Sequence, residues 1–374
     1  MRKVAVFFGG KSCENEISIL TGIFILNIID KEKFTPIPVY IHTDGKTYTS
    51  PDMTDLNVFK DKSLKKFSRI FFEDGSMYAF NAKKSRIKRL AKIDVAINCC
   101  HGGLGEGGGV SALAEWNGIP LASPDLTSSG IFIDKGMTKL VARALNVPTV
   151  DYIRVNEKDY ERRGAFLLKS VENRLKYPVI IKPAHLGSSI GISLAKNEEE
   201  LKKALNEAFS LDDRVIIEKY LERKQDVNCA AYMLDGKVII SEPEVAFGEG
   251  VYSFDDKYLK RTSDHNAPLV SKGGGRYALS GELRDKIRAY TRTVYKRMNL
   301  QGIVRLDFLI NDNKAYLCEV NTVPGSLAYY LFCDRIVEAK QLISSLLEDA
   351  LKSVQEKKKI ITTGILHSIR LKTK

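Results

Sequence analysis

Two consecutive strand-like runs near the C-terminal end carry charged residues where a buried strand would carry apolar ones. They lie between Gly302 and Asn321. Successive side chains of a strand point to opposite faces, so Arg305 and Asp307 share one face of the first run. Glu319 and Asn321 share one face of the second. Two carboxylates and a carboxamide supply the hard oxygen donors that suit Mg²⁺ bound jointly by protein and phosphate oxygens.

The turn between the two runs decides whether these groups meet. A three-residue loop at 311–313 would place position 305 opposite 319 and leave all the polar groups on one face. Asp307 and Glu319 would then be diagonal neighbours, roughly 7–8 Å apart at the backbone. A two-residue loop would break that parity, and we expect the three-residue loop. An ion pair of Arg305 with Asp307 or Glu319 is the alternative to a metal site, and the residues alone leave both open.

A second stretch, Pro178–Gly191, combines an apolar strand with a lysine and a loop of small residues. Lys182 ends the strand, and Gly187, Ser188 and Ser189 follow. Backbone N–H groups of such a loop, with two hydroxyls and a positive charge, can bind phosphate. The run is neither a Walker A sequence nor a Rossmann fingerprint. Taken alone, an ordinary hairpin loop explains it as well.

Further motifs follow one another in an order that resembles the ATP-grasp superfamily, and the run at 9–18 resembles the D-alanine–D-alanine ligase family. The likeness covers nearly the whole chain. It includes His101-Gly102-Gly103, Asp134-Lys135, Glu218-Lys219-Tyr220-Leu221, Lys257-Tyr258 and the run from Glu319 to Gly325. The resemblance implies ATP-dependent ligation of two D-alanines to D-alanyl-D-alanine through a D-alanyl phosphate, for peptidoglycan precursor synthesis.

The resemblance also implies a nucleotide pocket and its ligands. Lys135 and Lys182 would contact phosphates, and Asp226 the ribose. This chain has one residue more between Glu218 and Asp226 than the family usually has, so Gln225 is the alternative ribose ligand. The implied ATP-binding residues are Lys135, Lys182, Ser189, Glu218, Lys219, Tyr220, Leu221, Asp226 and Lys257, with Glu218, Tyr220 and Leu221 around the adenine. Two Mg²⁺ (or Mn²⁺) ions would be held by Asp307, Glu319 and Asn321.

The implied substrate site draws on several parts of the chain. Glu16 would bind the ammonium of the first D-alanine and form a triad with Ser188 and the lid residue Tyr258. His101 would orient the first substrate or cap the loop that follows it; both readings stay open. The developing oxyanion needs donors already in place, which the family supplies from the equivalents of Arg305 and the Gly325 N–H.

The second-substrate site departs from the family pattern. The carboxylate of the second substrate would be held by Ser326 and Leu327, which follow Gly325 directly instead of after several more residues. The loop at 105–108 also lacks the aspartate that usually follows its glutamate. Joining D-alanine to D-serine or another amino acid is therefore the alternative function.

Composition narrows the class of protein. The chain has 374 residues and a net charge of +12, but its lysines are spread along it, so we expect no nucleic-acid partner. No apolar stretch could span a bilayer, and the apolar run at 4–8 is too short for a signal peptide. The cysteines lack metal-ligand spacing and read as reduced small hydrophobes. We expect a cytoplasmic enzyme with small-molecule partners, ATP and D-alanine, and the resemblance implies a homodimer.

The elements that position these residues read as an α/β fold (α+β overall): an ATP-grasp architecture behind an N-terminal Rossmann-like domain with a parallel sheet. Strands and helices alternate in the first third, and the Gly-rich turns at 9–12 and 101–107 follow strands, at the ligand-binding edge of such sheets. We place the N-terminal domain at 1–128, the central ATP-grasp subdomain at 129–222, the C-terminal subdomain at 223–356 and a basic tail at 357–374. Asp235-Gly236 predicts a hairpin, and Asn197 with Glu200 predicts a helix start.

Overall fold

A computed structural model describes residues 1–60, 64–81, 85–245, 279 and 281–353, and within them the strands form three sheets. The strands are β1 (Arg2–Gly9), β2 (Phe34–Ile41), β3 (Thr47–Thr49), β4 (Ser68–Glu73), β5 (Ser76–Asn81), β6 (Arg86–Lys92), β7 (Val95–Asn98), β8 (Tyr152–Asn156), β9 (Val179–Pro183), β10 (Ser193–Ala195), β11 (Arg214–Lys219), β12 (Gln225–Leu234), β13 (Lys237–Ile240), β14 (Glu244–Val245), β15 (Val304–Asn311) and β16 (Lys314–Asn321).

Helices connect and cover these sheets. They are α1 (Asn15–Ile28), α2 (Val110–Trp116), α3 (Leu126–Phe132), α4 (Lys135–Ala144), α5 (Glu157–Arg174), α6 (Glu198–Phe209), α7 (Gly281–Arg297) and α8 (Ile336–Ser353). The mixed α/β fold agrees with the predicted class. The part of the chain that the structure describes holds no helix long and apolar enough to cross a membrane.

The first sheet has the order β6-β5-β4-β3-β2-β1-β7. Only β2-β1-β7 is parallel, with β1 between its two partners. The residues at 4–8 are all fully buried, as expected for a parallel strand covered on both faces. Strands β3, β4, β5 and β6 extend this sheet by antiparallel pairing.

The second sheet has the order β10-β9-β11-β8 and is antiparallel. Helices α5 and α6 share its apolar core. The predicted start of α6 is confirmed, because the Asn197 side chain accepts from the Glu200 N–H and Glu200 accepts from the Lys196 N–H. This sheet places Lys182 on β9 opposite Ile216 of β11, two residues before Glu218.

The third sheet has the order β13-β12-β15-β16, with β14 also on β12. The predicted hairpin at Asp235-Gly236 is confirmed: both residues have positive φ, 46° and 74°, as a type I′ turn requires. Helix α7 packs on one face of this sheet in a core with Val304, Leu306 and Phe308. The other face is left to the polar residues of β15 and β16.

The chain then returns to the first sheet. Residues 323–350 share a core with β1, β7 and α1, and helix α8 contributes Leu342, Ile343, Leu346 and Leu347 to it. The last helix therefore packs on the N-terminal domain, although its sequence follows the third sheet. The proposed domain limits at 128, 222 and 356 stay a prediction. The last helix of the proposed C-terminal subdomain, 223–356, packs on the N-terminal domain.

Candidate active site

The β15–β16 hairpin differs from the predicted one in its turn. Asn311 pairs with Lys314, so the turn has two residues, and our three-residue loop was wrong. Asp312 and Asn313 have φ of 47° and 58°, the left-handed conformation that a type I′ turn needs. Asp and Asn adopt it more readily than most residues because their short side chains bond locally.

A bulge restores the parity that the short turn breaks. Asp307 pairs with Glu319 but Phe308 pairs with Leu317, so Cys318 is an extra residue on β16. Asn321 accordingly stands opposite Arg305. The polar residues still share one face, and Asp307 and Glu319 are directly opposite rather than diagonal. The predicted cluster forms, but by a route that the spacing did not indicate.

Arg305 and Asp307 form a bidentate ion pair. Arg305 Nε lies 2.7 Å from one carboxylate oxygen of Asp307, and Arg305 Nη2 lies 2.8 Å from the other. Asn321 Nδ2 donates to the same carboxylate at 3.0 Å. Burial alone would lower the pKa of Arg305, but Asp307 and Tyr330 outweigh it and hold that pKa well above its usual value. The ion pair that was the alternative to a metal site is therefore present among the proposed metal ligands.

A buried lysine–glutamate–lysine group lies beside this face. Glu218, at the end of β11, is 2.8 Å from Lys182 Nζ and 3.1 Å from Lys139 Nζ. Burial would raise the pKa of Glu218, but the two lysines outweigh it and lower the pKa to about 2. Sequence reasoning missed Lys139, whose side chain is 0% exposed. Its position one helical turn after Lys135 was the available signal.

Lys135 joins the second sheet to the third. It is the first residue of α4, where Asp134 caps the helix by accepting from the Gly136 and Met137 N–H groups. Lys135 Nζ donates to the Leu186 carbonyl and lies 3.7 Å from a carboxylate oxygen of Glu319. Lys182 Nζ lies 3.7 Å from Cys318 Sγ on β16. Both predicted phosphate-binding lysines thus reach the strand that carries Glu319.

The remaining predicted nucleotide residues follow Glu218 along the chain. Lys219 is exposed, and Tyr220 and Leu221 are half-buried. Asp226 pairs with Leu309 and therefore shares the face of Asp307, while Gln225 pairs with Ile310, which packs in the core. This register favours Asp226 over Gln225. The carboxylate of Asp226 accepts from Lys224 Nζ at 2.9 Å, and its contact with ribose stays a prediction.

The small-residue loop after Lys182 meets the first Gly-rich turn, with a different glutamate from the one we predicted. Ser188 Oγ donates to Glu14 Oε1. A Cβ at Gly187 would overlap the Glu14 carboxylate, which would have to shift to admit it. Glu16, assigned to this contact from the sequence, is exposed in the first turn of α1.

The structure places Glu14 against Ser188, where we expected Glu16, and which of the two carboxylates binds the substrate stays a prediction. Glu14 precedes α1 and lies at the ligand-binding edge of β1. Two residues later, a side chain points about 200° further around the helix axis, away from the loop. Position relative to the helix start was the signal that would have found Glu14. The lid residues Lys257 and Tyr258 lie outside the described residues, so their roles stay a prediction.

His101 is buried between α1 and the residues that follow β16. Its Nδ1 lies 2.8 Å from the Val323 carbonyl and its Nε2 lies 2.8 Å from Thr21 Oγ1. Burial lowers the pKa of His101 to about 4, so the ring is neutral. The loop cap that we considered for His101 is made by another side chain: Glu106 accepts from the Gly102 N–H at 2.7 Å. Burial raises the pKa of Glu106 to about 7.

Ser326 and Leu327 lie in an unusual turn. Ser326, Leu327 and Ala328 have φ of 50°, 53° and 47°, which is left-handed backbone for three residues that are not glycine. All three are buried. A Cβ added at Gly325 would have no atom within 4 Å, so space is open beside this turn. The turn lies next to β15, because the Tyr330 hydroxyl accepts from Arg305 Nη1 at 3.3 Å.

This arrangement agrees with what comparison with known proteins shows. Residues 3–124 match the family model described as D-ala D-ala ligase N-terminus, and residues 141–348 match D-ala D-ala ligase C-terminus. The D-alanine–D-alanine ligase of Thermosipho africanus is 34% identical over 96% of this chain and 95% of its own. That of Caldicellulosiruptor bescii is 33% identical over 96% and 97%.

Solved structures show the same fold. The crystal structure of D-Alanine-D-Alanine ligase from Helicobacter pylori superposes with a TM-score of 0.75 at 26% identity, covering 96% of this chain and all of that one. The ligase from Coxiella burnetii has a TM-score of 0.77 at 24% identity, covering 95% and 97%. The likeness runs through both halves of the chain, and we conclude that this chain belongs to the D-alanine–D-alanine ligase family.

Proposed function

We propose that this chain joins two D-alanines to D-alanyl-D-alanine at the expense of ATP, through a D-alanyl phosphate, for peptidoglycan precursor synthesis. One observation carries the proposal: two buried lysines, Lys135 and Lys182, reach the strand that holds Glu319 and Asn321, beside Asp307. The proposed phosphate-binding cations and the proposed ligands of a divalent cation therefore adjoin one candidate cleft between the second and third sheets.

The donor set fits Mg²⁺ or Mn²⁺, and two ions agree with the family pattern. The ligands would be Asp307, Glu319 and Asn321, all with hard oxygen atoms on one strand face. Such an ion neutralises charge on the phosphate oxygens when bound. The bidentate contact of Arg305 with Asp307 fixes the carboxylate in place. The negative charge of Asp307 in turn keeps the arginine at the centre of the site.

In the first step, a carboxylate oxygen of the first D-alanine attacks the γ-phosphorus and ADP leaves, which gives an acyl phosphate. Lys135 and Lys182 would stabilise the charge on the phosphoryl oxygens. Glu14 takes the role first given to Glu16: its carboxylate, held by Ser188, would bind the substrate ammonium. Glu218, Tyr220 and Leu221 would frame the adenine, with Ser189, Lys219 and Lys257 along the nucleotide.

In the second step, the amine of the second D-alanine attacks the acyl carbon and phosphate leaves with the former carboxylate oxygen. The oxyanion formed on the way would be stabilised by Arg305 and the Gly325 N–H. Ser326 and Leu327 would hold the carboxylate of the second substrate. Closure of a lid with Lys257 and Tyr258 would exclude water from the acyl phosphate. We also propose a homodimer located in the cytoplasm.

A second acceptor is favoured by one observation. Ser326 follows Gly325 directly and lies in a left-handed turn, whereas the family pattern has several more residues before the serine. The alternative is therefore a ligase that joins D-alanine to D-serine or another amino acid.

Incubation with MgATP and D-alanine tests both functions. We expect phosphate and D-alanyl-D-alanine to be released in equal amounts. Initial rates with D-alanine as donor and D-serine, glycine or D-lactate as competing acceptors rank the second substrate. A higher rate of mixed dipeptide with D-serine would move the assignment to the alternative, and the absence of any dipeptide would reject both.

A further inference from the structure

The segment from Val323 to Ser326 is held open by two side chains of the N-terminal domain. In a closed four-residue turn, the carbonyl of the first residue accepts from the N–H of the fourth. Here the Val323 carbonyl instead contacts His101 Nδ1 at 2.8 Å, and the Ser326 N–H donates to Thr21 Oγ1 at 3.2 Å. Thr21 and His101 contact each other at 2.8 Å. Thr21 and His101 therefore link the two backbone groups that a direct hydrogen bond would join in a closed turn.

The chemistry of the atoms fixes the direction of every bond. A carbonyl oxygen only accepts, so His101 carries its proton on Nδ1 and Nε2 is an acceptor. The Thr21 hydroxyl therefore donates to Nε2 and keeps its lone pairs for the Ser326 N–H. The bonds run from Ser326 N–H to Thr21, from Thr21 to His101, and from His101 to Val323. Removal of the Thr21 hydroxyl would leave a buried donor at Ser326 and a buried acceptor at His101.

The bond to Thr21 lies at the start of the strained part of the turn. Left-handed backbone is unfavourable for residues other than glycine, because the Cβ atom comes too close to the following carbonyl oxygen. It persists only where the surroundings determine it, and it is common where ligands are held. Leu327 and Ala328 are buried against the core of the first sheet, and the Leu327 N–H donates to the Pro324 carbonyl at 2.8 Å. Thr21, 2% exposed on α1, is the side chain that holds the N–H of the first strained residue.

We propose that Thr21 is a positioning residue for the second substrate. Acting through His101 and the Ser326 N–H, it keeps the turn at Gly325–Leu327 in the shape that receives the acceptor carboxylate. Thr21 itself does not touch a substrate. The assignment of this turn to the acceptor rests on the proposed function, whereas the hydrogen bonds among Thr21, His101 and the turn do not.

Two substitutions separate the hydroxyl from the shape of the side chain. Thr21→Val keeps the branched shape and removes the hydroxyl, and Thr21→Ser keeps the hydroxyl. Thr291→Val is the matched control, since Thr291 is equally buried but lies in α7 in the core of the third sheet. Dipeptide formation across D-alanine concentrations gives separate KM values for donor and acceptor. Trapping of the acyl phosphate with hydroxylamine reports the first step without the acceptor.

For Thr21→Val we expect the KM of the acceptor to rise about tenfold or more, because a buried donor loses its partner. The KM of ATP and the yield of hydroxamate should stay within twofold of the unsubstituted chain. Thr21→Ser should restore the acceptor KM, and Thr291→Val should leave it unchanged. An unchanged acceptor KM in Thr21→Val would overturn the proposal. So would a parallel rise of the KM values for ATP and acceptor, or a failure of serine to rescue.

Hydrogen exchange of backbone amides tests these hydrogen bonds without a measurement of enzyme activity. Amides at 322–332 should exchange faster in Thr21→Val than in Thr21→Ser or Thr291→Val. If the unsubstituted chain forms no dipeptide with any acceptor, the proposed function fails, and this exchange still decides the structural part. Equal exchange in all variants would overturn the role of Thr21.

Discussion

The cleft that would bind nucleotide and the turn that would bind the acceptor are built from different materials. The cleft consists of charged side chains on regular strands, such as Lys182, Glu218 and Asp307. The turn consists of backbone groups in left-handed conformation, held by neutral side chains such as Thr21 and His101. The charged half of the site depends on the spacing of charged residues along individual strands. The acceptor half depends on contacts between residues more than 200 positions apart.

The two regions should also fail differently when they are altered. A substitution in the cleft removes a charge that another buried charge needs, so both turnover and stability should suffer. A substitution around the turn removes a neutral hydrogen bond, so the effect should be confined to one substrate.

The largest effect is expected for Arg305→Met. The guanidinium pairs with Asp307 through two bonds and is the proposed oxyanion donor, so its loss should lower kcat about 100-fold to 1000-fold. Arg305→Lys keeps the charge but not the fork, and should fall in between. Phosphate release under saturating substrates measures both, with thermal unfolding as the check on folding. Turnover within tenfold of the unsubstituted chain would remove Arg305 from the reaction.

A large loss of stability is expected for Lys139→Met. Glu218 would keep Lys182 but lose the fully buried lysine 3.1 Å away, and breaking a buried ion pair costs about 3 kcal/mol or more. The double variant Lys139→Met with Glu218→Gln also takes from the buried Lys182 its carboxylate partner, and should lose further stability. Urea unfolding measures the free energy of unfolding for each. A single variant as stable as the unsubstituted chain would show that the group is not a coupled unit.

The pair Glu14→Gln and Glu16→Gln tests the correction to the substrate site. Glu14 is held by Ser188 at the cleft, so Glu14→Gln should lower kcat/KM for D-alanine about tenfold to 100-fold. Glu16 is exposed on α1, so its variant should behave as the unsubstituted chain. The two substitutions are chemically identical and two residues apart, which makes each the control of the other. A reversed result would restore the first assignment.

The smallest signal is expected from pH, because two buried groups beside the acceptor turn oppose each other. Burial raises the pKa of Glu106 from 4.5 to about 7, so its contribution to stability is full below 4.5 and is lost as pH rises through 7. Burial lowers the pKa of His101 from 6.5 to about 4, so its contribution is full above 6.5 and is lost as pH falls through 4.

Glu106→Gln separates the two contributions, since glutamine matches the neutral carboxyl in shape and does not titrate. The variant should gain stability relative to the unsubstituted chain as pH rises from 4.5 to 7. Unfolding midpoints at half-unit steps of pH measure the difference. A difference that stays constant across this range would contradict a raised pKa for Glu106.

Much of the cleft could be predicted from the sequence because strand alternation is local. The polar face of β15 and β16 was predicted from this alternation, whereas Lys135 and Lys182 were implied as phosphate ligands by the family resemblance. The turn of that hairpin was not, since its two left-handed residues and the bulge at Cys318 compensate each other and leave the same face polar. The alternation of side chains therefore predicted the right polar face although the predicted loop length was wrong.

The rest could not be predicted because it depends on how separate elements meet. Glu14 lies before the first residue of α1 and Glu16 lies after it. The sequence marks the ends of helices poorly, so it does not tell the two positions apart. Lys139 reads as an ordinary helix residue until Glu218 is placed beside it. Thr21 carries no motif, and its partners come from the loop after β7 and from the residues after β16.

Transfer of oxygen from substrate to phosphate shows most directly whether an acyl phosphate forms in this cleft. The protein is incubated with MgATP and D-alanine labelled with ¹⁸O in both carboxylate oxygens, and the released phosphate is analysed by mass spectrometry. A D-alanyl phosphate intermediate predicts one ¹⁸O atom in each phosphate released with dipeptide, because the phosphate leaves with the former carboxylate oxygen. Dipeptide formed together with unlabelled phosphate would contradict it.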